Sequence, residues 1–218
     1  MSRYIASFMR SWHTRSWLVL LMVLGCAWPT PAQSPSTIVR VEQDWELVIG
    51  TPDPDTDSPQ IVCVISPRGD VNSTYAAFEL NQRGQPSFSP GGLQLQIWDG
   101  ESPLSEVSST NESLLTNVGE TVRWTQSMEL ADGVLIFEVT NGTSTTWGGF
   151  GGEGSLRLSV STTLTNLDGY DADVSLRNSG VGFAANRVHS LVLKRTRLIT
   201  SAGQQVEVQN DKAIYSQE

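Results

Sequence analysis

Cysteine and histidine are almost missing from this chain: 218 residues hold only two of each. They are Cys26 and Cys63, and His13 and His189. So few sulfur and imidazole ligands exclude a zinc-organised domain and a dense disulfide framework. A Ser-His-Asp triad would depend on His189, and no G-x-S-x-G motif accompanies it. Positive charge is scarce as well, with 14 Lys and Arg against 23 Asp and Glu. A surface this acidic repels phosphate backbones and anionic lipid, so nucleic acid is discounted as a partner. No apolar run reaches the roughly 20 residues that a spanning helix needs, so no membrane span is expected. No window keeps a helical period either, and none repeats at solenoid or propeller length.

What the chain does have begins at its start. Arg3, Arg10 and Arg15, with no acidic neighbour, precede an apolar run of 12 residues from Trp17 to Trp28. Thr30-Pro31-Ala32 then supplies a small residue for cleavage. This order is that of a secretory signal, predicted over residues 1–32. The protein is therefore expected to be exported: secreted, periplasmic or on the cell surface. Val23-Leu24-Gly25-Cys26 also resembles the lipobox of bacterial lipoproteins. That resemblance implies acylation of Cys26 and a lipid anchor, whereas cleavage after Ala32 releases the domain. The apolar run continues past Cys26 to the Ala32 site, which favours cleavage.

Removing 32 residues leaves 186, a length suited to one domain, expected over 39–218 behind a disordered lead at 33–38. Three cations leave with the signal, so 11 Lys and Arg face 23 acids and the formal charge becomes −12. Cys63 sits in the apolar run Ile61–Ile65 and reads as a buried hydrophobe.

Period two governs the rest. Val39, Val41, Trp45, Leu47 and Ile49 share one face, with Arg40, Glu42, Asp44 and Glu46 on the other. Strands are likewise predicted around 61–65, 93–97, 122–130, 134–140, 156–160, 174–176, 181–184, 188–193 and 206–208. Asp132-Gly133 marks a hairpin, and Asn141-Gly142 a second turn. Ser105–Leu115 is the best window for a short helical turn. Gly148–Gly152 opens no helix, so it is a loop or sheet corner rather than a phosphate cradle. Some ten or more short strands predict an all-β, antiparallel two-sheet sandwich or barrel.

The strand rhythm and the segment Leu135–Gly142, with Trp147 close by, resemble the concanavalin A-like and laminin G-like β-sandwiches. The resemblance implies a jelly roll whose concave face or rim loops bind carbohydrate or protein, often with Ca²⁺.

Three groups of residues are candidates for chemistry. Glu42-Gln43-Asp44-Trp45-Glu46 is similar to the E-x-D-x-E signature of β-jelly-roll glucanases, which implies a retaining pair with Glu42 as nucleophile, Glu46 as acid/base and Asp44 between them. Against that stands a plain solvated strand face, which Arg40 continues, so no catalytic role is assigned and enzyme activity is not expected. Asp53, Asp55 and Asp57, and again Asp168, Asp171 and Asp173, place carboxylates as irregular Ca²⁺ loops do. Ser58 and Val64 occupy the Gly and Glu positions of an EF-hand, excluding that motif, and Asp and Gly favour turns in any case. No cofactor is required, and Ca²⁺ is the one ion considered. Last, Trp45 and Trp124 align with core faces, whereas Trp98 lies on the glutamine side at a strand end beside Asp99-Gly100, and Trp147 lies between a Thr/Ser run and the glycine-rich loop. An indole there suits stacking on a sugar ring, so these two are the ligand-binding candidates. The function expected is a non-catalytic module binding an extracellular glycan or protein. The alternatives are a glycanase using the Glu42 strand and a structural surface protein.

Overall fold

A computed structural model describes residues 36–50, 59–80, 92–110, 117–146, 148–152 and 154–217, all within the compact unit Pro35–Glu218. It is an all-β sandwich of two antiparallel sheets packed face to face. In chain order the strands are β1 (Ile38–Ile49), β2 (Gln60–Ile65), β3 (Thr74–Leu80), β4 (Gly92–Asp99), β5 (Ser102–Thr110), β6 (Thr121–Ala131), β7 (Val134–Ser144), β8 (Gly148–Phe150) and β9 (Arg157–Ser161). Helix α1 (Ala172–Asn178) then precedes β10 (Gly180–Phe183), a single 3-10 turn (Ala185–Arg187), β11 (Val188–Thr200) and β12 (Gln205–Ser216). No helix among the described residues is long and apolar enough to cross a membrane.

The seven-stranded sheet runs β12-β11-β1-β6-β7-β8, with β9 also pairing β7. The five-stranded sheet runs β10-β2-β3-β4-β5. The chain changes sheet after β1, β5, β9 and β10, and within each sheet hairpin neighbours dominate. That order makes a sandwich without establishing the jelly-roll winding that the family resemblance implies.

Period two explains why β1 is central. Val41, Trp45, Leu47 and Ile49 are fully buried, while Arg40, Glu42, Asp44 and Glu46 face outward. Trp45 stacks on Trp124 at 6.3 Å between ring centroids, and Phe78 of the opposite sheet meets Trp124 edge-on at 5.6 Å. Such aromatic pairs add about 0.5–1.5 kcal/mol beyond the area they bury. Cys63 is buried in this core, and burial pushes its thiol pKa well up, so it stays an inert hydrophobe.

One polar row crosses the core. Thr196, Gln43 and Gln126 are register partners on β11, β1 and β6, and all three are fully buried. Gln126 Nε2 donates across the sandwich to the Cys63 carbonyl at 3.2 Å, and Gln43 Nε2 donates to Tyr170 Oη at 2.9 Å. The two glutamines occupy inward slots between apolar neighbours, so alternation alone places them there but says nothing of their partners.

Several local expectations change. Val174–Leu176 is not a strand but the middle of α1: Asp171 caps the helix by accepting from the Asp173 N–H, Asp173 lies in the first turn and Arg177 in the last. Val174 and Leu176 looked alternating only because both are buried. Ser105–Leu115 yields no helical turn among its described residues, since 102–110 form β5. Asn141-Gly142 is not a turn. Asn141 sits at φ 53° inside β7, where the register with β6 slips between Arg123 and Thr125 and makes a bulge. Asp132-Gly133 is the predicted hairpin, with both residues at positive φ and Ala131 paired to Val134. Part of the glycine-rich stretch becomes β8, and a Cβ on Gly142 would lie 2.5 Å from the Phe150 carbonyl oxygen.

Candidate functional site

The Glu42 strand resolves into an ion-pair lattice on the outer face of the seven-stranded sheet. Glu42 accepts from Arg40 at 2.8 Å and from Arg197 at 2.6 Å. Asp44 receives both Nε and Nη2 of Arg195, at 2.8 and 2.5 Å, and the Thr125 hydroxyl at 2.8 Å. Glu46 pairs with Arg123 at 2.6 Å. Glu129 and Glu138 extend the pattern through Arg40 and Arg157. A register shift between Asp44 and Trp45 leaves Lys194 as an extra residue, so Lys194 and Arg195 both stand on the outer face although adjacent in sequence. Hydrogen bonding to Asp44 raises the Arg195 pKa further above its ordinary value. The three carboxylates do share a face, as period two requires. Each of them is ion-paired with at least one arginine, an arrangement that ties neighbouring strands together.

The acidic loops hold hydrogen bonds of their own. Asp168 Oδ1 accepts from the Ile38 N–H at 2.7 Å, and Asp171 caps α1. Among the described residues no group of three or more His, Cys, Asp or Glu side chains is arranged to hold a metal ion. Asp53, Asp55 and Asp57 lie outside the described residues, as do Trp147, Cys26 and the signal segment.

Trp98 is near the end of β4, half-buried on the outer face of the five-stranded sheet. Its cross-strand partner on β3 is Tyr75, and the two rings lie within 10° of parallel at 6.5 Å. The indole Nε1 donates to Gln96 Oε1 at 3.2 Å, fixing the ring plane. Behind it Glu106 Oε2 accepts from Gln94 Nε2 at 3.2 Å and Gln96 Nε2 at 3.4 Å. Burial raises the Tyr75 phenol pKa, and the Glu79 carboxylate adds to that, so the hydroxyl keeps its proton at neutral pH. The result is an aromatic pair continued by an amide and carboxylate ladder. Trp98 was legible from its place beside Gln94, Gln96 and Asp99. Tyr75 was not, because Thr74–Leu80 buries both faces and carries no clean alternation.

A second anchored segment leads toward Trp147. Glu120, buried before β6, accepts from the side chains of Ser144 and Thr146 and from the Thr146 N–H at 2.9 Å. Burial alone would raise this carboxyl, but the hydrogen bonds from Ser144, Thr146 and Thr145 outweigh it and hold the pKa below its usual value.

The sequence matches no protein-family model and no curated protein.

Proposed function

We propose that this protein is an exported, non-catalytic β-sandwich module that binds an extracellular carbohydrate through the outer face of its five-stranded sheet. The observation that carries the reading is the Trp98–Tyr75 pair with Gln96 and Glu106 beside it. Near-parallel rings offer apolar faces on which sugar C–H groups rest, and the neighbouring amides and carboxylate match ring hydroxyls. Trp147 joins the same proposal as a second stacking residue. Binding of Ca²⁺ at the loops holding Asp53, Asp55 and Asp57 belongs to it as an optional element. The retaining-glycanase alternative is disfavoured by the arginines that occupy Glu42, Asp44 and Glu46. Export by the 1–32 signal, to the periplasm, surface or medium, completes the proposal, with a lipid anchor at Cys26 as its minority form.

A glycan array probed with the purified protein, once with Ca²⁺ and once with chelator, tests this reading. Selective binding to a glycan class supports it, and sensitivity to chelator would assign an ion a role. A blank array in both conditions would return the protein to a purely structural role.

A further inference from the structure

We infer that the cleft at the end of the sandwich beside Trp98 binds the single acidic group of a carbohydrate, a carboxylate carried by one sugar unit. This inference rests on the glycan reading above and names the ligand class more narrowly. The cleft measures about 490 Å³ and opens between the two sheets. Arg68 and Ser73 line it from the β2–β3 connection and Thr74 from the start of β3, while Ser161 lines it from the end of β9 and Thr162 and Thr163 from the segment that follows. Its size falls within the range of about 300–1,000 Å³ that holds small ligands.

Its guanidinium differs from those on the outer face of the seven-stranded sheet. Arg40, Arg123, Arg157, Arg195 and Arg197 all spend their charge on carboxylates of the seven-stranded sheet. Arg68 is exposed and makes no ion pair among the described residues. A guanidinium is a planar fork of donors that matches a carboxylate with two parallel hydrogen bonds. Around it the lining includes five residues that carry hydroxyls, groups that both donate and accept hydrogen bonds. Ser73 Oγ is buried and without a hydrogen-bond partner among the described residues. Thr162 Oγ1 accepts from the Leu164 N–H at 3.2 Å, which leaves its own proton to donate.

Position links the cleft to the aromatic pair. Thr74 lines the cleft, and Tyr75, the next residue of β3, carries the ring beside Trp98. The Gly100 N–H donates to the Ser73 carbonyl at 3.2 Å, tying the rim to the β4–β5 turn just past Trp98. Thr74 and Tyr75 point to opposite faces of β3, so the cleft and the ring pair share this strand's beginning. Charge limits the ligand to few anionic groups, because a chain with an excess of acidic residues, 23 Asp and Glu against 14 Lys and Arg, repels a polyanion while one guanidinium satisfies one carboxylate.

Isothermal titration of the purified protein with cellobiouronic acid, and with cellobiose as the same disaccharide lacking the carboxylate, tests the assignment. The acid is expected to bind about tenfold or more tightly than cellobiose. Arg68→Ala should remove that preference and leave cellobiose binding unchanged, and Arg68→Lys should restore it only in part. Trp98→Ala should weaken both sugars. Equal binding of the two sugars, or an acid preference that survives Arg68→Ala, overturns the inference while leaving the Trp98 reading standing. Binding of neither sugar also overturns it, and the array then judges the Trp98 reading separately. An unchanged thermal midpoint for Arg68→Ala shows that the variant folds.

Discussion

Glu120 is a buried carboxylate whose charge is held by the Ser144 and Thr146 hydroxyls and the Thr146 N–H, with no ion pair among the described residues. Its folded pKa lies below the unfolded one, so the stability it contributes is present above the ordinary glutamate range. That contribution is lost as pH falls through the lowered folded value. Glu120→Gln keeps the shape but exchanges two charge-assisted acceptors for one neutral oxygen and an amide. It is expected to cost about 1–3 kcal/mol at pH 7 and to flatten the fall in thermal midpoint on acidification. Calorimetric scans of both proteins from pH 7 down to about pH 2 check this, and parallel curves would contradict it. Nothing in the sequence around Glu120 announces the clamp, because Ser144 and Thr146 lie in a different strand and turn. Asp168 and Asp171 teach the same lesson in reverse. They look like ion ligands in sequence, yet each carboxylate is committed to a backbone N–H.

At the scale of elements, alternation located β1, β4 and β6, each burying one face against the opposite sheet, while the continuous apolar run at 61–65 located β2 and the Asp132-Gly133 hairpin located β7. Alternation failed wherever a second force set the conformation. A carboxylate cap turned Asp171–Asn178 into a helix, and sheet pairing absorbed Asn141-Gly142, whose local preference is for a turn. That bulge makes Gly142 sensitive. A methyl there would meet both the ring and the backbone carbonyl of Phe150, and a backbone atom cannot swing aside. Gly142→Ala is expected to destabilise by about 1–3 kcal/mol, lowering the thermal midpoint by roughly 2–12 °C. An unchanged midpoint would show that β8 yields freely. On β1, Asp44→Asn removes the charge that holds Arg195 and Arg197. The pairs are partly exposed, so the expected loss is about 1 kcal/mol or less, shrinking further in 1 M salt. Salt titration of the difference in unfolding free energy is the check.

The whole molecule divides its labour between two outer faces. The seven-stranded sheet presents carboxylates and arginines that satisfy one another, a surface suited to solubility and to holding long strands in register. The five-stranded sheet presents Trp98, Tyr75 and an amide ladder, and the connection beside it carries Arg68, which makes no ion pair among the described residues. In the sequence the first face shows as alternating carboxylates on β1 and a basic cluster at Lys194, Arg195 and Arg197, and the register of β1 with β11 is what brings the two together. Half of the second face was visible through Trp98; its other half depended on the cross-strand register that sets Tyr75 beside the indole. One titration compares the faces directly. Calorimetric binding of the best array ligand is measured for the unaltered protein, Trp98→Ala and Asp44→Asn. Stacking on one ring is worth about 1–3 kcal/mol by analogy with base stacking, so Trp98→Ala should weaken binding about tenfold or more while Asp44→Asn leaves it unchanged. Loss of binding in Asp44→Asn with Trp98→Ala unaffected would move the site to the opposite sheet and contradict the account.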